Sequence, residues 1–175
     1  MKPSLYTVTL LILPIGYFFM TKKPKNVRNN NPLNIKESAD WTGERALNLD
    51  PIFEEFQSPE YGFRAGYIIL LQYLERGDNT LNAIINKWAP SGTEENNHTQ
   101  AYIDYVSHPD RLQLSPNEYV SPAMLPELML HMSVFEGSKG AFTIEQAREG
   151  ERLAKQESFV IARLHRMGET SEMFT

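Results

Sequence analysis

Between residues 58 and 154 the apolar positions recur at helical spacing, and each run is bounded by capping or breaking residues. Ser58-Pro59-Glu60 opens the first: an N-cap serine, proline at the first helical position and an acid in the first turn. Phe63, Tyr67, Leu70, Leu71 and Leu74 follow on one face, and Arg76-Gly77 ends it. Thr80 caps a second helix over Leu81–Trp88, with Leu81, Ile84, Ile85 and Trp88 on one face and Pro90 forbidding continuation. A third is predicted over Thr99–Ser107 through Tyr102, Ile103 and Val106. A fourth is predicted from Pro126 to Glu136, stopped by Gly137. Thr143, Glu145 and Gln146 open a fifth, with Gly150 as a potential break. The tail after Glu157 mixes Phe159, Val160, Ile161, Leu164 and Met167 with Arg163, His165 and Arg166, which suits a last helix or a partner-binding extension.

The pattern before residue 58 is different. Four asparagines within Arg28-Asn29-Asn30-Asn31-Pro32-Leu33-Asn34-Ile35-Lys36 make a poor helix interior, because their amides compete for backbone groups and tolerate left-handed conformations. This stretch reads as a fixed turn entering a short extended piece. Ile52-Phe53-Glu54-Glu55-Phe56, bounded by Asp50-Pro51 and Ser58-Pro59, reads as a short strand that turns Glu54 or Glu55 outward. The fold expected is mainly α with a small β-element over residues 33–56, divided as an N-terminal anchor (1–25), a domain (26–156) and a C-terminal helical extension (157–175).

Residues 4–20, SLYTVTLLILPIGYFFM, form an uncharged apolar run, slightly short for a spanning helix of about 20 residues. No small-residue cleavage site follows it, which favours an uncleaved membrane anchor over a cleaved signal or a buried core helix. Lys22, Lys23, Lys25 and Arg28 flank its C-terminal end, a pattern that places the domain on the cytoplasmic side. A domain that works outside the cytoplasm needs the opposite orientation.

Charge narrows the partners. The 175 residues carry 17 basic and 22 acidic side chains. Residues 1–28 hold five of the bases and no acid, so the remainder carries a net charge of -10. A domain that acidic is a poor binder of nucleic acid. With no cysteine, disulfides, thiolate metal sites and thiol nucleophiles are excluded. The four histidines have no metal-ligand spacing, no phosphate loop is present, and no metal or cofactor is expected.

Arg28-Asn29-Asn30-Asn31-Pro32 continuing to Asn34-Ile35, then Trp41-Thr42-Gly43, resembles the opening of a family of phage and prophage proteins labelled virion structural proteins. Phe53 to Ala65, with Gly62 and Arg64, and Trp88-Ala89-Pro90 fit the same pattern. Leu33 stands where the family usually has glycine, and the loop at Glu95-Asn96-Asn97-His98-Thr99 is one residue longer. Asn34-Ile35-Lys36 before Asp40-Trp41-Thr42-Gly43 is similar to a segment of bacterial glucosaminidases of the lysozyme superfamily.

That second resemblance implies a lysozyme-like domain and carboxylate chemistry on a glycan, with one glutamic acid at the end of a buried helix as general acid. Glu136 fits best, with Glu95 as the second candidate. Asn31, Asn34 and Trp41 are the expected substrate-binding residues: amides for the acetamido sugar and an indole for its apolar face. The expected function is a membrane-tethered, phage-encoded peptidoglycan-degrading protein. It would sit in a virion membrane or in the bacterial inner membrane, facing the periplasm if enzymatic. Its partners would be peptidoglycan, the membrane and other virion proteins. The alternative is a non-enzymatic virion structural or peptidoglycan-binding protein.

Overall fold

A computed structural model describes residues 23–92 and 97–169. The elements are α1 (Lys25–Arg28), α2 (Pro59–Glu75), α3 (Leu81–Trp88), α4 (Thr99–Ser107), a 3-10 turn (Pro122–Met124), α5 (Leu125–Ser133), a π-helical turn (Val134–Ser138), α6 (Ile144–Ala154) and α7 (Ser158–Arg166). Residues 4–20, the expected anchor, lie outside the described residues, as does Glu95. Among the described residues no helix is long and apolar enough to cross a membrane.

α2 is the axis of the fold. Its predicted stripe is buried, and so are Gly62, Arg64, Ala65, Gly66 and Ile68, so it is enclosed on more than one side. α6 packs along it most extensively, with α5, α7 and α3 around it. Small residues set how close these neighbours come. A Cβ on Gly62 would meet the Asn30 carbonyl oxygen at 2.4 Å and Pro32 Cδ at 2.5 Å, and one on Gly66 would meet Leu33 Cδ1 at 2.4 Å. The asparagine-rich loop therefore lies directly on α2. Gly150 does the same for α6, and α6 runs straight through it rather than breaking as expected. Its added Cβ would lie 2.5 Å from Phe63 Cβ, 2.8 Å from the Arg64 nitrogen and 2.9 Å from the Glu60 carbonyl oxygen.

Gly150→Ala should therefore destabilise the protein by about 1–3 kcal/mol through overpacking, although alanine is the better helix former by about 1 kcal/mol. The urea midpoint should fall with an unchanged slope, and a midpoint that rises would show that propensity wins.

α6 has the capping box that the sequence predicts, with Thr143 accepting from the Gln146 amide and the Gln146 side chain accepting from Thr143. α7 packs back on α2 through Val160 and Leu164, with Glu157 paired to buried Arg64 and both Arg163 and Arg166 bound to Glu75. Residues 157–169 thus lie against the helical body.

The β-element is corrected. Among the described residues no strand forms, and residues 33–56 make only isolated antiparallel bridges, Lys36 with Phe53 and Glu44 with Phe56. Side chains take the backbone groups that a ladder would use. Asn31 bonds the Ile35 nitrogen and oxygen and the Glu54 oxygen. Asp50 accepts from the Ile52 and Phe53 nitrogens. Glu54 accepts from the Ser38 nitrogen. Neither Glu54 nor Glu55 takes the outer face expected for one of them: both are buried, the latter paired with Arg45 at 3.0 Å.

Asp50 is the charged pin of this region. Burial pushes its carboxyl up, but bonds from Asn29 and from the Ile52 and Phe53 amides, together with the Lys25 charge, outweigh it and hold the group below the ordinary carboxylate range.

Candidate active site

The site is made where α5 ends. Leu125, Leu128, Met129 and Met132 bury one face of α5 completely, which fixes its rotation. Where a regular helix to Glu136 is predicted, α5 stops at Ser133 and the chain widens into the π-helical turn, closed by Gly137 at φ +107° and Lys139 at φ +52°. Such widened turns recur at functional sites because they re-aim the side chains they carry. Here Phe135 turns inward to stack on Tyr102, with ring centroids 4.0 Å apart and planes at 20°. Glu136 turns into a cleft of about 460 Å³ lined by Leu33, Asn34, Lys36, Ile52, Phe53, Trp88, Ala89, Asn97 and Glu136 itself.

Two helices, α3 and α4, and the asparagine loop hold the carboxyl. Asn34, at φ +50°, donates through Nδ2 to Glu136 Oε2 at 2.9 Å and to the Glu136 backbone oxygen at 3.3 Å. Two acceptors on one side settle which end of the amide is nitrogen. Tyr102, buried on α4, places its hydroxyl 3.1 Å from Glu136 Oε1 and 3.4 Å from the Met132 oxygen. The Trp88 indole at the end of α3 also donates to the carboxylate. Burial raises the Glu136 pKa above the ordinary value; the bonds from Asn34, Tyr102 and Trp88 pull it back only in part. Burial, then the Glu136 charge, raise Tyr102 as well, so the phenol keeps its proton.

This arrangement decides where a proton rests on Glu136. Oε2 faces the Asn34 Nδ2, which can only donate. Oε1 faces a hydroxyl that can accept once it turns its own proton to the Met132 carbonyl. The neutral acid therefore carries its proton on Oε1, with Tyr102 as the partner that reverses. A carboxyl that is neutral in an open cleft can give a proton to a bound oxygen.

Of the expected site residues, the structure brings Glu136 and Asn34 together. Asn31 is not with them in the cleft: it is fully buried, and its amide is spent on the Ile35 and Glu54 backbone. Trp41 is not among the residues lining the cleft either. It packs partly buried against the core, with its backbone nitrogen bonded to Glu44 Oε1 at 2.6 Å. The indole of the cleft belongs to Trp88. Tyr102, Trp88 and Asn97 had no place in the site read from the sequence. Their helical spacing marks the first two as core, although a buried tyrosine hydroxyl and indole N–H each require a partner. Among the described residues no group of three or more His, Cys, Asp or Glu could hold a metal ion.

No family model matches the chain. Over 156 residues it is 34% identical to Protein P5 of Pseudoalteromonas phage PM2, a match covering 85% of this chain and 94% of that protein. At that identity over nearly the whole of both chains, this protein belongs to the family of the phage Protein P5.

Proposed function

We propose that this phage-family protein cleaves the glycan strands of peptidoglycan, with Glu136 as the general acid of a lysozyme-like helical domain. The observation that carries the reading is the Glu136 carboxyl itself: raised by burial, gripped from three elements, and lining an open cleft. A carboxyl raised by burial that also lines an opening is the kind of group that general-acid chemistry uses. Glu136 protonates the glycosidic oxygen as its bond to the sugar carbon breaks. An oxygen of water or of the sugar's own hydroxyl bonds to that carbon and returns a proton to the Glu136 carboxylate. Asn34 and Tyr102 fix the carboxyl, and the Trp88 ring and the Asn97 amide border the space for an acetamido sugar.

The test is the full-length protein incubated with purified peptidoglycan, with released glycan fragments identified by mass spectrometry. New saccharide ends are expected. Sedimentation with the polymer and no fragments would favour the non-enzymatic, wall-binding or virion-structural reading.

The apolar residues 4–20 tether the domain to a membrane in this proposal, with the basic residues that follow at the headgroup level. The full chain should fractionate with membranes, and a chain lacking residues 1–22 should do so far less. Isolation of mature protein beginning near Lys22 would identify a cleaved signal instead.

A further inference from the structure

Among the described residues, three of the five large exposed apolar side chains fall close together in the chain, while Tyr119 and Phe159 stand apart. Leu47 is 68% exposed, Leu49 74% and Ile52 50%, all within one six-residue segment of the loop that crosses residues 44–53. Three leucine and isoleucine side chains standing in water together ask for a partner surface.

What surrounds them is basic on one side. Arg28 reaches Asp50, in the middle of the segment, at 3.0 Å and leaves about half of its side chain exposed. Arg45, just before the segment, donates to the Arg28 carbonyl oxygen at 3.1 Å. The Lys25 ammonium lies 4.6 Å from the centre of the Phe53 ring, just after it. Lys23 is exposed at the start of the described chain. Arg28 is paired with Asp50 and Arg45 with Glu55, so Lys23 and Lys25 bring the charge at this edge that no ion pair on the loop offsets. The acids Glu37, Asp40, Glu44 and Glu54 line a groove that Asn48, Pro51 and Ile52 of the segment also border, so Leu47 and Leu49 are the side chains best placed to lead an insertion.

The cations are also where the chain enters. Residues 1–22 lead into Lys23, and 4–20 of them are the uncharged apolar run, so the one stretch suited to lipid joins the domain beside the exposed leucines. We infer that Leu47, Leu49 and Ile52 form a docking face that inserts shallowly into an anionic lipid bilayer, with Lys23, Lys25, Arg28 and Arg45 at the headgroups. Apolar side chains penetrating the headgroup boundary and flanking cations attracted to anionic lipid are the two ingredients of interfacial binding. Long basic side chains suit this because their stems lie along apolar surface while the charge stays wet. Ile52 also lines the cleft, so the face and the cleft share a residue.

This inference rests on the membrane-tether part of the proposed function and goes beyond it, since a tether alone leaves the domain free to tumble. The absence of cysteine allows a clean test. The full chain carrying Leu49→Cys, and separately Phe159→Cys as a control on α7, is labelled with an environment-sensitive fluorophore. Each is reconstituted into phosphatidylcholine–phosphatidylglycerol vesicles containing brominated lipid. Both should float with the vesicles, and only the label at 49 should shift to the blue and be quenched, several-fold more than the label at 159. In phosphatidylcholine alone that quenching should weaken, and unchanged quenching there would overturn the role of the cations.

Vesicles that float with both labels in water would overturn the docking face and leave the tether standing. A chain that does not float, with an unshifted label at 49, would overturn both. A label at 49 already shielded before vesicles are added would overturn the inference too, by showing that the apolar N-terminal segment covers the loop. Because Leu49 is largely exposed, its replacement does not disturb the core.

Discussion

Glu136→Gln should lower glycan cleavage by at least about 100-fold, the ordinary contribution of a positioned general acid, while leaving the fold intact. Glutamine keeps the shape of the neutral acid, with an amide NH2 in place of the hydroxyl and no transferable proton. Its carbonyl oxygen takes the Oε2 place and accepts from Asn34 Nδ2; its amide nitrogen takes the Oε1 place and donates to Tyr102, which turns its own proton to the Met132 carbonyl. Asn34, Tyr102 and the Met132 carbonyl all keep a partner, so unfolding free energy near the acid end of the range should change by less than about 1 kcal/mol. Full activity in Glu136→Gln would dismiss the acid role however well formed the cleft.

The same substitution carries a pH signature whose sign follows from linkage. The folded-state pKa of Glu136 lies above its unfolded value, mainly through burial. Between those two values the folded chain holds a proton that the unfolded chain has released. Its stability therefore falls as pH rises through that window, and the loss persists above it. Glutamine has no such dependence. The stability of Glu136→Gln relative to the natural protein should rise from pH 4 upward and level off above the raised pKa, as read from urea titrations across pH. Catalysis follows the same group, so activity should fall on the alkaline side as the acid ionises. A flat difference across pH would mean that Glu136 titrates like a free glutamate. Asp50 runs the other way: its lowered pKa contributes stability at neutral pH that is lost only as pH falls below the ordinary carboxylate value.

The helices were legible because their signals are local. Thr80 and Pro90 bracket α3, Ser58-Pro59 opens α2, and Thr143 caps α6, each acting within a turn or two of its own position. Glu136 stood out as an acid at the end of an apolar run before a glycine. What could not be read is what depends on distant partners. Trp41 lies near the asparagines in sequence, whereas Trp88 reaches the cleft only because α3 and α4 pack together and α4 meets the end of α5. The widening of α5 after Ser133 has no cue of its own in VFEGS beyond Gly137. Residues 33–56 misled for a definite reason: alternation predicts a strand, but the inward acids and asparagines bond the backbone directly and leave only isolated bridges.

Asn31 makes that last point testable, and Asn31→Ala should be the most destabilising single change in the loop. Its Nδ2 donates to the Ile35 oxygen at 2.8 Å and the Glu54 oxygen at 3.0 Å, and its Oδ1 accepts from the Ile35 nitrogen at 2.9 Å. The side chain is fully buried, so alanine would strand three backbone groups out of reach of water. Each unsatisfied group costs roughly 1–3 kcal/mol, so a loss of about 3–5 kcal/mol is expected, a large share of the about 5–15 kcal/mol that a domain commands. Residues 29–35 also lie on Gly62 and Gly66 of α2, so loosening the turn withdraws Leu33 from the core and Asn34 from Glu136. Activity should then fall with stability, recover on cooling or in stabilising osmolyte, and show an unchanged KM where the protein is folded. An Asn31→Ala protein with normal unfolding and a raised KM would instead return this residue to the sugar-binding role that its sequence neighbours suggest.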